Sequence, residues 1–95
     1  MIQRIVLLKL TDPSEIDDVL KKSREVLPNL PGVRKYSQGR VLKKSDYDIA
    51  LLLTFDSMND VHAYIPYPAH RAYVDDYLKP KIHSIAAMNV DIGNG

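Results

Sequence analysis

The chain has 95 residues, 45% of them hydrophobic and 26% charged, with 13 Lys+Arg against 12 Asp+Glu. A length and apolar fraction of this kind predict one globular domain over residues 1–95 and exclude disordered, collagen-like and disulfide-scaffold classes. With no cysteine there is no disulfide, thiolate zinc site or thiol nucleophile, and a net charge of +1 gives no electrostatic pull towards nucleic acid or an anionic membrane.

In chain order, Ile2–Leu10 (IQRIVLLKL) is rich in branched and aliphatic side chains and stops at Thr11-Asp12-Pro13, which predicts a strand. No small-residue cleavage site interrupts it, so the start does not read as a signal peptide. Nowhere does an apolar run reach the roughly 18 residues of a membrane span. A soluble, cytoplasmic protein is the expectation. Asp12-Pro13-Ser14-Glu15 reads as a helix start, with Asp12 as cap and Pro13 at the first helical position. Ile16, Val19, Leu20 and Leu27 recur at helical spacing, and Pro28 with the Leu30-Pro31-Gly32 turn ends the helix near Leu27. Val33–Leu42 predicts a second strand with Gly39 at a bulge or bend. A turn at Lys43-Lys44-Ser45-Asp46 leads into a third strand, Tyr47–Phe55, and the short connection predicts an antiparallel hairpin. Ser57 and Asp60 stand at capping-box spacing ahead of a second helix. That helix meets Pro66 and Pro68, which it cannot cross undistorted, and restarts at Pro68 to carry Ala72, Tyr73 and Tyr77. Ile82–Ile92 predicts the last strand and residues 93–95 a frayed tail.

The order β-α-β-β-α-β is that of an α+β, ferredoxin-like split βαβ fold, with helices on one face of a four-stranded antiparallel sheet. Such a sheet should alternate apolar and polar residues. Here Ile5 and Leu7 oppose Val6, Leu8 and Leu10, and Ile49, Leu51 and Leu53 oppose Ala50 and Leu52, so both faces are apolar. Helices cover one face only, and the other predicts a symmetric homodimer packed through the sheet.

Taken together, Ile5–Leu10, Leu30-Pro31-Gly32-Val33, Tyr47–Leu51, Thr54-Phe55-Asp56-Ser57 and Tyr64-Ile65-Pro66-Tyr67-Pro68-Ala69-His70 make the chain resemble the stress-responsive α/β-barrel (Dabb) family over nearly its whole length. The last stretch is similar to the family's Tyr-x-x-His-Pro-x-His signature, with Tyr67 where the first His usually stands. The resemblance implies a dimeric α/β barrel. Most members of the family have no established activity, and some plant members are cofactor-free polyketide cyclases. Carried over by position, it makes His70 a base and Tyr64 a donor, with no cofactor, beside a small apolar or aromatic ligand touching Leu7, Ile49, Leu51, Tyr67 and Tyr73. Where cyclase-like members carry further histidines, this chain has Arg4 and Ile49. The alternatives are a cyclase or lyase using His70 and Tyr64, and a small monooxygenase of the antibiotic-biosynthesis type.

Enolate chemistry needs a base near a carbonyl's α-proton and a donor for the oxyanion. A spacing of six does not put Tyr64 and His70 on one face of a regular helix, but the proline break can turn both towards one cavity. The simpler reading of His70 is structural, its ring hydrogen-bonding the chain reversal around Pro66 and Pro68. His62 and His83 read as solvent-facing, and the three histidines lack ligand spacing, so no metal site is expected. The adjacent pairs Asp17-Asp18 and Asp75-Asp76 diverge around their helices and read as solvated surface. Tyr47 and Phe55 sit only at the ends of the third strand and the first strand has no aromatic for stacking bases, which speaks against nucleic acid.

Overall fold

The computed structural model describes residues 1–43 and 45–93; Lys44 of the predicted turn and residues 94–95 of the predicted tail lie outside the described residues. Four strands, β1 (Ile2–Leu10), β2 (Lys35–Arg40), β3 (Ile49–Phe55) and β4 (Ile82–Asp91), form one antiparallel sheet in the order β2-β3-β1-β4. The two most apolar strands are therefore central. Three α-helices, α1 (Ile16–Val26), α2 (Met58–Tyr64) and α3 (Pro68–Ala72), cross over the sheet, and α3 runs on into a π-helical turn at Tyr73–Leu78.

Local chemistry fixes these boundaries. Asp12 accepts from the Ser14 N–H at 3.0 Å, but the first turn, Pro13–Glu15, is 3-10 and the α-helix begins only at Ile16. Ser57 Oγ accepts from the Asp60 N–H at 3.4 Å and starts α2. β2 is shorter than the predicted Val33–Leu42 because the Val33 N–H is taken by the Leu30 carbonyl at 3.3 Å. β3 starts at Ile49 rather than Tyr47 because the Tyr47 N–H turns to Ser45 Oγ, at 3.2 Å. The bulge expected at Gly39 is absent, since Gly39 pairs with Ala50 in unbroken register; the irregularity lies between Lys9 and Leu10, where β1 meets β4. Gly32 does close the turn after α1, at a φ of +89° that favours glycine.

Strand parity divides the apolar residues between two faces. Val6, Leu8, Leu10, Ile49, Leu51, Leu53 and Phe55 are buried under the helices, with Val19, Leu27, Val61, Tyr64, Tyr73 and Leu78 packed onto them. The opposite face carries Ile5 paired with Leu52 and Met88, and Leu7 paired with Ala50 and Ala86. Among the described residues no helix covers it, and Met88 and Val90 are exposed there. Among the described residues no helix is long and apolar enough to cross a membrane.

Candidate functional site

The break between α2 and α3 shapes the site. Pro68 takes the first position of α3, and the Tyr67 N–H closes the turn on the Tyr64 carbonyl at 3.1 Å. This interruption leaves the Ile65 carbonyl outside a continuous helical ladder, and His70 Nδ1 approaches it to 2.8 Å. A carbonyl only accepts, so Nδ1 carries the imidazole proton and Nε2 keeps its lone pair. The His70 ring lies against Tyr64, centroids 4.3 Å apart, and Tyr64 meets Phe55 edge-on at 5.0 Å.

Under this pair lies a cavity of about 160 Å3, walled by Leu51, Leu53, Leu27, Leu78, Val6 and Val74 together with Arg4, Tyr64, His70, Arg71, Tyr73 and Ala87. Its deep walls are fully buried leucines, whereas Arg71, Ile85 and Ala87 are exposed, so it opens beside the edge strand β4. Two tyrosines line it, with different commitments. Ser23 Oγ gives its single proton to the Val19 carbonyl at 2.7 Å, so the Tyr73 hydroxyl must be the donor in the 2.5 Å contact between them. Tyr73 therefore offers the cavity a ring and not a hydroxyl. Tyr64 makes no side-chain hydrogen bond among the described residues, although no enclosed side-chain oxygen or nitrogen there lacks a partner. Its hydroxyl accordingly opens onto the cavity.

Electrostatics keep both groups neutral near pH 7. Burial lowers the His70 pKa below its ordinary value; the Ile65 contact opposes this and the Arg4 and Arg71 charges add to it. Burial raises the Tyr64 phenol well above its ordinary value, with Arg4 pulling it partly back. The arrangement is a neutral acceptor nitrogen beside a neutral donor hydroxyl, over an apolar floor. Among the described residues no three metal-ligating side chains are grouped.

Of the residues singled out from sequence, Tyr64, His70, Leu51 and Tyr73 meet at this cavity. Leu7 does not, and this is a correction: it pairs with Ala50 and Ala86 on the uncovered face, because alternate residues of β1 point to opposite sides of the sheet. Ile49 is buried in the core beyond the lining, and Tyr67 is 40% exposed at the surface of the helix break. Arg71 was not singled out from the sequence, and Arg4 was named only as standing where cyclase-like members carry a histidine. Parity puts Arg4 on the face of Val6 and Leu8, and the fold turns that face towards the helices.

A sequence model of the family described as the stress-responsive A/B barrel domain (Dabb) matches residues 2–92. Among solved structures, a Dabb-family protein with a ferredoxin-like fold from Mesorhizobium loti superposes with a TM-score of 0.86 at 25% identity, covering 97% of each chain. A dimeric protein of unknown function from Bacteroides fragilis gives 0.73 at 28% identity, covering 95% of this chain and 94% of that one. A hydroxynitrile lyase from Passiflora edulis gives 0.81 at 17% identity, covering 99% and 94%, a likeness of fold. None of the curated proteins compared matches the sequence.

Proposed function

The chain belongs to the stress-responsive A/B barrel (Dabb) family, and we propose that within it this protein binds one small apolar or aromatic molecule in the cavity beside Tyr64 and His70. The observation that carries the reading is the cavity itself, about 160 Å3 and walled largely by aliphatic side chains. An apolar cavity of about 150 Å3 accommodates a benzene ring, so the space suits a single ring with short substituents. The protein acts as a homodimer in this reading. The apolar face of Ile5, Leu7, Leu52, Met88 and Val90 supports that state, as does the dimeric Bacteroides fragilis neighbour. The binding test is titration with toluene and phenol followed by amide NMR. Saturable shifts around Leu51, Tyr64 and His70 are expected, and their loss in Ala87→Phe, which fills the mouth. No saturable shift at these residues would sink the binding reading.

A second reading is favoured by the two uncommitted polar atoms that share the cavity. In cofactor-free acid–base chemistry His70 Nε2 takes a proton from the carbon next to a carbonyl. The C–H electron pair moves into a carbon–carbon double bond, the carbonyl pair moves onto oxygen, and the Tyr64 hydroxyl donates to that enolate oxygen. The Passiflora lyase gives a precedent for catalysis on this architecture only. The test is deuterium exchange at the methyl group of acetophenone in D2O. Wild-type protein accelerates it in this reading, and His70→Ala loses about 100-fold or more, the scale of a positioned base. Exchange no faster than in buffer ends the catalytic reading and leaves binding standing.

A further inference from the structure

Arg4 sits on the helix-facing side of β1 and lines the cavity at its open end. The sheet register sets Asn89 of β4 opposite it, and the guanidinium donates to Asn89 Oδ1 at 3.0 Å. Among the described residues that amide is its one side-chain partner, and no carboxylate pairs with it. Most of its fork of N–H donors is unspent, although the residue is half-buried in the sheet. The Asn89 contact faces solvent at the mouth of the cavity, so the remaining donors are open to an anion that enters there.

The second cation of the lining is different. Arg71 is paired with Asp75 at 2.7 Å, a carboxylate that it shares with Lys79 at 3.0 Å. Among the described residues no acidic side chain lines the cavity. Its polar end therefore presents a guanidinium without a carboxylate partner, a free hydroxyl donor on Tyr64 and a neutral imidazole, while its buried walls are leucines and the Tyr73 ring. This asymmetry matches a molecule with one apolar body and one anionic end.

We propose that the cavity is built for a small carboxylate of single-ring size, its hydrocarbon body against Leu51, Leu53 and Leu78 and its carboxylate on the Arg4 guanidinium, with the Tyr64 hydroxyl as a further donor. The proposal rests on the cavity-binding reading above and narrows its ligand class. Planar guanidinium and carboxylate groups match as paired N–H···O contacts, which a lysine ammonium does not reproduce. The influence of Arg4 on both Tyr64 and His70 places its positive field over the polar end of the cavity.

The probes are benzoate and its neutral isostere benzamide, titrated calorimetrically near neutral pH into wild-type, Arg4→Gln, Arg4→Lys, Arg71→Gln and Ala87→Phe proteins. Wild-type protein prefers benzoate by about tenfold or more, the scale of one charge-assisted contact. Arg4→Gln removes that preference and leaves benzamide affinity in place. Arg4→Lys retains the charge and recovers only part of the preference. Arg71→Gln has a smaller effect than Arg4→Gln, and Ala87→Phe abolishes binding of both probes. Equal binding of the two probes to wild-type protein overturns the carboxylate assignment while leaving an apolar pocket. So does a preference that survives in Arg4→Gln, or benzoate binding that survives in Ala87→Phe. Failure of both probes to bind overturns this inference, and the failure of toluene as well overturns the cavity-binding reading beneath it.

Discussion

At the scale of residues, the site depends on which polar atoms are already committed. The Tyr73 hydroxyl is fixed to Ser23, whereas that of Tyr64 is not. Tyr73→Phe leaves Ser23 bonded to the Val19 carbonyl, and we expect a cost of about 0.5–1.5 kcal/mol in urea unfolding. Ser23→Ala orphans a buried phenol, and about 1–3 kcal/mol is expected. The reverse ranking would show that the donor assignment is wrong. His70 carries a pH dependence whose sign follows from burial. Its folded pKa lies below the unfolded value of about 6.5, so the neutral ring stabilises the fold fully above that pH. This contribution is lost as pH falls through the folded value. Unfolding midpoints of wild-type protein should therefore drop more steeply than those of His70→Asn as pH falls below about 6.5. Parallel curves would remove the effect from His70. The pairing of His70 with Tyr64 was legible as a motif, but the division of labour between the two imidazole nitrogens was not. It depends on a carbonyl five residues earlier that only the folded chain brings to 2.8 Å.

At the scale of elements, the broken helix is the device that assembles the site. Pro66 and Pro68 announce the break in the sequence, because a proline lacks the N–H and its ring clashes with the preceding turn. The π-helical turn that follows, Tyr73–Leu78, has no such announcement; wider turns of this kind recur at functional sites, and this one supplies Tyr73, Val74 and Leu78 to the cavity. The turn after α1 depends on Gly32, where a Cβ would meet Asp60 Cβ at 3.5 Å, which is ordinary contact, but the φ of +89° is unfavourable for any side chain. Gly32→Ala should cost about 1–2 kcal/mol, checked by chemical denaturation. A neutral result would mean that the turn relaxes to a negative φ. The bulge expected at Gly39 shows the opposite error: a glycine inside a strand pattern carries no information on register, and here the ladder runs through it unbroken.

At the scale of the whole molecule, the sheet has one face under helices and one apolar face without cover. Leu7→Asp, in the middle of that uncovered face, is predicted to convert a dimer to monomers in gel filtration with light scattering. A side chain of this size contributes about 1.5–3 kcal/mol on burial, and a symmetric interface loses it twice. A Leu7→Asp protein that remains dimeric would place the interface elsewhere. The β-α-β-β-α-β order, the antiparallel sheet and the two-faced strands were all legible in the residues, because strand periodicity, capping residues and prolines act over a few neighbouring positions. Which of the two apolar faces holds the cavity was decided only by the tertiary structure. Leu7 and Leu8 are adjacent and alike in the chain, and nothing local distinguishes the one that meets the helices. Arg4 takes its place on the cavity side by the same parity, once the crossover helices have chosen that side of the sheet. The physical reason is that a strand specifies alternation, whereas the direction in which its connections cross over the sheet turns alternation into an inside and an outside.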